Sequence, residues 1–255
     1  MSTRNSYKID KVKIYGILAA IVFVSGVGVA YNLTSTPSNG MSEQLNQNTL
    51  VGSNNAYDNI PVSEIQTAKV EGDFAWNTVD PYYGYDNSPI VALVHIDSIN
   101  GGRTYSPVYE QYVFPQTFGK LTVQKVYKGD IRQGDQLNYT RLGGIVSYDD
   151  YWSSLNKEQQ DKILYLNNGK RPNEKNYIKD KFKDDIDIET DKYYIVFLTP
   201  QSSKDGKIKE YFINGMQYGL REVNGYTGGS DAQITVLNNE TGKWDKPSSL
   251  LKNYK

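Results

Sequence analysis

The residues best suited to chemistry are the acids Asp184, Asp185, Asp187, Glu189 and Asp191 in the stretch KDDIDIETDKYYIVF. In an extended conformation Asp185, Asp187, Glu189 and Asp191 point to one side, with Ile186 and Ile188 opposite. Grouped carboxylates of this kind suit Ca²⁺, which takes roughly 6–8 oxygen ligands. The run lacks the D-x-[DN]-x-[DN]-G spacing of an EF-hand loop, and it contains no glycine for a tight wrap. Its other reading is a solvated edge, flanked by Lys181, Lys183 and Lys192, that discourages strand-to-strand aggregation. Carboxylate pairs around Asp149-Asp150 or within Asp184–Asp191 also raise hydrolysis of a glycosidic polymer. The single histidine, His95, shares a strand face with Val91, Leu93 and Asp97. A Ser-His-Asp triad would have to use it, but no G-x-S-x-G elbow or S-x-x-K motif accompanies it.

The chain has no cysteine. Thiol nucleophiles, acylated-cysteine anchors and cysteine zinc sites are thereby excluded, and one histidine rules out the usual two- or three-histidine catalytic zinc sites. No cofactor is expected. With 28 basic and 29 acidic residues the chain has no broad basic field, so nucleic acid is not an expected partner.

Tyrosine is the third feature, at 22 residues, with three tryptophans. Tyr82, Tyr83, Tyr85, Tyr105, Tyr109, Tyr112, Tyr148, Tyr151 and Trp152 fall in expected loops or loop edges. A tyrosine there offers a rigid apolar face and a hydroxyl at little entropic cost, which suits recognition of a peptide or glycan. Tyr82, Tyr83, Tyr85, Tyr105, Tyr109, Tyr148, Tyr151 and Trp152 are accordingly candidate ligand-binding residues, with packing the competing reading. Tyr127, Tyr139, Tyr193 and Tyr194 lie in strands, where β propensity accounts for them.

The elements that must position these residues are mostly strands. PIVALVHIDSI, closed by Asn100-Gly101-Gly102, leads through VYEQYVF to KLTVQKVYKGD, then to QLNYTRLGG, KYYIVFLTP, EYFINGMQYGLREV and AQITVL. Close spacing and Gly/Asp turns predict a mainly β domain, a small OB-like β-barrel, closed or partly open. A helical insertion is expected at about 151–184: one helix capped by Ser154 and stopped near Gly169, followed by a polar loop or flap, KRPNEKNYIKDKFKDD. Upstream, VSEIQTAKVEG carries a capping-box pattern at Ser63 and Gln66 and predicts a short helix. The segment FAWNTVDPYYGY reads as a loop packed down by Phe74 and Trp76.

Before the domain, Ile14 to Tyr31 is an uncharged apolar run of about eighteen residues, preceded by Arg4, Lys8, Lys11 and Lys13. That is long enough for a transmembrane helix, and the basic flank keeps the N-terminus inside. The expected organisation is a cytoplasmic basic segment (1–13), a transmembrane signal anchor or signal peptide (14–31), a flexible stalk (32–59) and an extracytoplasmic β domain (60–255). The domain is then held at the cell membrane as a single-pass protein or, if the signal is cleaved, secreted. Exported and cysteine-free chains are associated with Gram-positive surfaces.

The segment order PIVALVHIDSI, KLTVQKVYKGDIRQGDQLNYTRLGG, an insertion, DKYYIVFLTP and INGMQYGLREV resembles Gram-positive extracytoplasmic β-barrel domains related to the netrin-like fold of tissue inhibitors of metalloproteinases. The resemblance covers Ile90 to Val223 and rests on a strand ending in K-G, a G-D turn and a strand closing on a double glycine. It implies an OB-type barrel. The expected function is a membrane-anchored binding or assembly module of the cell surface, with a protein, peptide or cell-wall glycan as partner. An envelope-polymer hydrolase and a structural subunit of a membrane complex are the alternatives.

Overall fold

Closing a sheet into a ring requires strands long enough to pair with different neighbours at their two ends, and this chain supplies two such strands. The computed structural model describes residues 53–70, 76–172, 175–228, 233–252 and 254. The expected N-terminal segment, anchor and first part of the stalk lie outside the described residues, as does Phe74. In chain order the elements are β1 (Ile65–Val70), α1 (Tyr83–Asn87), β2 (Ile90–Ser106), β3 (Gln111–Lys128), β4 (Gln136–Leu142), β5 (Gly144–Ser147), α2 (Tyr148–Ser154), α3 (Lys157–Leu166) and β6 (Tyr177–Phe182). They continue with β7 (Tyr193–Ser202), β8 (Lys209–Ile213), α4 (Met216–Gly219), β9 (Leu220–Asn224), β10 (Thr235–Asn238) and β11 (Lys243–Asp245).

Strands β7, β2, β3, β4 and β8 pair in that order, and β8 pairs back onto β7, so the sheet is ring-like. The pairings are antiparallel except β4 with β8. One edge of β7 is shared: Tyr194–Val196 pair with β9, and Leu198–Ser202 pair with β8. From β9 the sheet continues through β10 to β11. A separate three-stranded sheet runs β1, β6, β5, with β1 and β6 parallel.

β2 begins as the unbroken apolar run IVALV because both its faces are covered. Ala92, Val94 and Ile96 pack with Leu121, Val123, Tyr139, Tyr194 and Leu198 inside the ring. Val91 and Leu93 face the other way, onto Ile195, Phe197, Val236 and Leu251. The β2–β3 ladder is interrupted by five register shifts, which let both strands curl. At one of these crossings Gly119 has no room for a side chain: a Cβ there would lie 2.0 Å from the Ser98 carbonyl oxygen.

Several local expectations change. VSEIQTAKVEG forms no helix, because Val62–Glu64 makes a single 3-10 turn and the chain then extends as β1 against β6. Pairing overrides the capping-box pattern, helped by the β-branched Ile65 and Thr67. The polar stretch taken as loop or flap contains β6, in which Ile178, Asp180 and Phe182 are buried and Lys179 and Lys181 are not. That period of two was masked by an acid at a buried position. The inserted helix is two helices. Ser147 caps α2, and Asn156 and Gln159 form a reciprocal capping box on α3, while Ser154 ends α2 and donates to the Tyr151 carbonyl. The acidic run Asp185–Asp191 is irregular chain between β6 and β7 and has no strand ladder. The last expected stalk residues are folded: Ile99 N–H donates to Asn54 O at 2.9 Å, and Tyr57 packs against the ring interior. Among the described residues no helix is long and apolar enough to cross a membrane.

The crossing at Gly119 gives a direct test. Gly119→Ala must move Ser98 or bend β3, and overpacking of this kind costs about 1–3 kcal/mol. Thermal denaturation should show a melting point lower by several degrees, and an unchanged melt would mean that the strands do not approach this closely.

Candidate functional site

The expected binding aromatics separate into three groups, and two of them are occupied by the protein itself. In the first, Tyr82 donates its hydroxyl to Ser248 O at 3.2 Å, and Lys252 lies 5.6 Å over its ring while bonding Asp86. Tyr83 sets its ring edge-on to Trp76 at 5.2 Å, and Tyr85 donates to Tyr127 O. These contacts fasten α1 and the C-terminal segment to the ring. In the second group, Tyr148 is buried with Val146 and Ile178, and Tyr151 and Trp152 pack against that cluster. Arg171 covers Tyr148 and Trp152 at 5.1 and 5.3 Å and is paired with Asp149. Packing accounts for both groups.

The third group is open to solvent. Tyr105, Tyr109 and Tyr112 are 46%, 42% and 56% exposed at the tip of the β2–β3 hairpin. Tyr105 and Tyr112 are cross-strand partners whose rings meet edge-on at 5.8 Å. The turn is tight, with Glu110 N–H donating to Ser106 O at 2.8 Å.

Below the tip lies a polar network on the outward side of the ring. Arg103 of β2 donates to both carboxylate oxygens of Glu210 on β8, at 2.8 and 2.6 Å. It also donates to Gln116 Oε1 on β3 at 3.3 Å, and Thr140 of β4 donates to the same oxygen at 3.1 Å. The guanidinium lies 5.3 Å over the Phe118 ring. Thr140 and Glu210 alternate with Tyr139 and Tyr211 of the ring core, which places them on the opposite face. Arg103 thus joins β2 to β3 and β8, and Gln116 extends the network to β4 through Thr140. The carboxylate of Glu210 also acts on Tyr109, whose hydroxyl pKa is raised by burial first and by that negative charge second.

Most acids of the run have separate partners. Asp185 is buried and accepts two hydrogen bonds from Arg141 Nη2, at 2.7 and 2.8 Å, while Arg141 Nη1 donates to Ile186 O. Burial raises the Asp185 carboxyl and Arg141 opposes that rise. Asp187 bonds Lys179 at 2.7 Å and lies 3.4 Å from Lys181. Burial works to raise its carboxyl, but the two lysines together hold it below the usual range. Glu189 pairs with Lys192, and Asp191 is exposed in a left-handed turn. Among the described residues no three acids or imidazoles are grouped so as to hold a metal ion. Asp149 is bound to Arg171, and Asp150 accepts from Ser147 at the start of α2. His95 Nδ1 lies 2.8 Å from Asp97 Oδ1, whose other oxygen accepts from Thr122 at 2.6 Å, and its ring leans on Tyr193 at 5.1 Å. These contacts orient the imidazole within the sheet.

At one mouth of the ring is a cavity of about 220 Å³. Tyr57, Thr117, Gly143, Gly144, Lys179 and Lys181 contribute to its wall. Tyr57 and Thr117 share a hydrogen bond of 3.0 Å between their hydroxyls, and Thr117 donates to Gly143 O at 2.9 Å. Asp180, 3% exposed, also borders the cavity. Its neighbours Lys179 and Lys181 point to the other face of β6, and burial pushes its carboxyl up to about 7. Sequence reading passed over Arg103, Gln116, Thr140 and Glu210, because their partners are set by strand pairing and no local spacing marks them. Arg141 escaped notice for the same reason.

Asp180 generates a pH prediction. Its carboxyl keeps a proton in the folded chain up to about pH 7, whereas the unfolded chain releases it near pH 4. Between these values the folded state binds more protons, so this group's contribution falls as pH rises from about 4 to about 7. Asp180→Asn imitates the protonated form. It should be more stable than the parent at pH 8 by about 1–4 kcal/mol, with the advantage vanishing near pH 4 in denaturant titrations. A pH-independent difference would contradict this assignment.

Comparison of the chain with known protein families, with curated proteins and with solved structures finds no match.

Proposed function

We propose that the ring is an OB-type barrel and that the protein is a membrane-anchored extracytoplasmic binding module of the bacterial cell surface. The observation that carries the binding reading is the group of exposed tyrosines, Tyr105, Tyr109 and Tyr112, standing on the Arg103–Glu210 network. The strand order supports the OB reading. Numbering the ring strands one to five along the chain, they pair one-two-three-five-four and back to one, with three and five parallel. The same order, with a helical insertion between the third and fourth ring strands, agrees with the resemblance to netrin-like domains.

OB-type barrels bind oligosaccharides and oligonucleotides through the face of their second and third strands and the loops after the first and fourth. Here the tyrosine tip is the first of those loops. The Arg103 network lies on the corresponding face and reaches β8, next to the loop that follows β7. An exposed aromatic pair over fixed donors and acceptors suits a protein, peptide or wall glycan, since little freedom is lost on binding. Hydrolysis is less well supported. Asp149, Asp150, Asp185 and Asp187 are all engaged by cations or a helix-capping hydroxyl.

The test is co-sedimentation of the full chain with envelope fractions: intact wall, protease-treated wall, and membrane protein. Tyr105→Ala/Tyr112→Ala should weaken binding about tenfold or more, as loss of exposed aromatic anchors does, while leaving the melting point close to that of the parent. Survival of binding after protease treatment would identify a glycan. Equal binding by parent and variant, or measurable turnover of wall polymer, would overturn the reading. The anchor has its own measurement: the full chain should stay with membranes through alkaline carbonate extraction, whereas release of a shortened chain into the medium would make 14–31 a cleaved signal peptide.

A further inference from the structure

Four acidic residues border the cavity at the mouth of the ring: Asp180, Asp185, Asp187 and Glu189. Three of them have a cation. Asp185 is held by Arg141, Asp187 by Lys179 and Lys181, and Glu189 by Lys192. Asp180 is only 3% exposed, and among the described residues nothing bonds its carboxyl: burial alone displaces its titration. Once Asp180 ionises, four carboxylates face Lys179, Lys181 and Arg141, and the site is one positive charge short.

The Asp180 oxygens are buried without being sealed in. Among the described residues, the buried side-chain atoms that lack both a partner and open space belong to Arg171, Gln217 and Arg221. Asp180 is not of that set, and the space it borders is this cavity of about 220 Å³. Its direct partner across the β5–β6 ladder is Gly144, and directly opposed residues send their side chains to one face. The next pair along, Val146 and Ile178, does the same and packs together. On that face a Cβ on Gly144 would lie 2.7 Å from Thr117 Oγ1 and 2.9 Å from the Tyr57 hydroxyl. The Asp180 carboxyl therefore shares its side of β6 with two hydroxyl oxygens, and glycine leaves the space between them free. Thr117 gives its proton to Gly143 O, so Tyr57 donates to Thr117, and lone pairs remain on both oxygens.

We propose that the cavity binds the protonated amine group of a ligand, held by the Asp180 carboxylate with the Thr117 and Tyr57 hydroxyl oxygens as further acceptors. An ammonium carries three donors and no acceptor, which matches a face made of oxygens with free lone pairs. It brings the opposite charge that a buried carboxylate requires, and charge-assisted hydrogen bonds are the strong ones. The volume is far above the roughly 10–15 Å³ that holds one water, so part of the amine's carrier enters as well. This site is separate from the tyrosine tip, so either can fail without the other.

The test is an NMR titration of the full chain in detergent micelles at pH 8, with sodium chloride holding the ionic strength constant. Methylammonium and n-butylammonium chloride are added in separate arms, beside tetramethylammonium and calcium chloride. The amide signals of Gly143, Gly144 and Asp180 should move and saturate with the two primary amines. Tetramethylammonium has the charge without N–H donors and should leave them still. Asp180→Asn keeps the shape and should weaken amine binding at least tenfold, the worth of a lost charge-assisted contact, while the variant stays folded by thermal melt. Absence of saturation with the primary amines would overturn the proposal, as would parental affinity in Asp180→Asn. Equal saturation by tetramethylammonium would remove the hydrogen-bonding role, and tighter saturation by calcium would make this a site for a metal cation instead. Should the variant fail to fold, the four arms on the unsubstituted chain decide.

Discussion

Ring closure is the constraint on which the rest of this fold depends. A strand in the ring must curve continuously, and an ideal pleated ladder does not. β2 and β3 meet this demand with repeated register shifts and with glycines where backbones touch. Gly119 lets β3 cross Ser98, and Gly102 lets β2 approach the carbonyl of Ile145, which a Cβ would reach at 2.0 Å. The second of these contacts brings the small β1–β6–β5 sheet to its seat against the ring. Curvature of two strands thus sets both the ring and the position of the sheet beside it.

Closure also leaves a weak seam. β4 and β8 are parallel and paired only at Tyr139–Tyr211 and Thr140–Phe212, a short ladder to hold a ring shut. Two arginines reinforce it from opposite faces. Arg103 ties β2 and β3 to β8 on the outward side, and Arg141 at the end of β4 ties it to Asp185 in the chain entering β7. Buried ion pairs often contribute little net stability against an apolar alternative, but breaking one leaves an uncompensated charge costing about 3–5 kcal/mol. Such pairs therefore act chiefly on register: any slip of β8 along β4 separates Glu210 from Arg103. The rigid base beneath the tyrosine tip follows from the way the seam is held.

What the sequence disclosed follows from the range of the interactions involved. β2, β3, β4, β7 and β8 were legible because burial writes itself locally, as IVALV with both faces covered or as alternation along LTV. The tip tyrosines were legible because they sit beside a turn. β6 was hidden because Asp180 occupies one of its buried positions and breaks the apolar alternation. β1 was read as helix because Ser63 and Gln66 satisfy a local rule that pairing with β6 then overrides. The acids 185–191 looked like one group since they are close in sequence. In space Asp185, Asp187 and Glu189 answer to different cations, chosen by β4, β6 and the start of β7, and Asp191 stands exposed. Arg103 and Glu210 are 107 residues apart, and nothing but the closed topology brings them together.

The fate of those acids also bears on the chemistry open to them. A hydrolase working on a polymer needs one carboxyl held protonated and a second held ionised, facing each other across a cleft. Asp180 and Asp187 have displaced pKa values of opposite sense, so taken alone they would fit that pattern. They lie, however, on different sides of β6, with Asp180 on the face of Ile178 and Phe182 and Asp187 bonded to Lys179 and Lys181 on the other. A strand that hydrogen-bonds on both edges stands between the two faces. The opposed titration of the two acids is thus a consequence of where β6 sends its side chains. One acid is protonated for want of a partner, and the other is ionised because it has two. The same strand that sends Asp180 to one face gathers two lysines onto one carboxylate on the other.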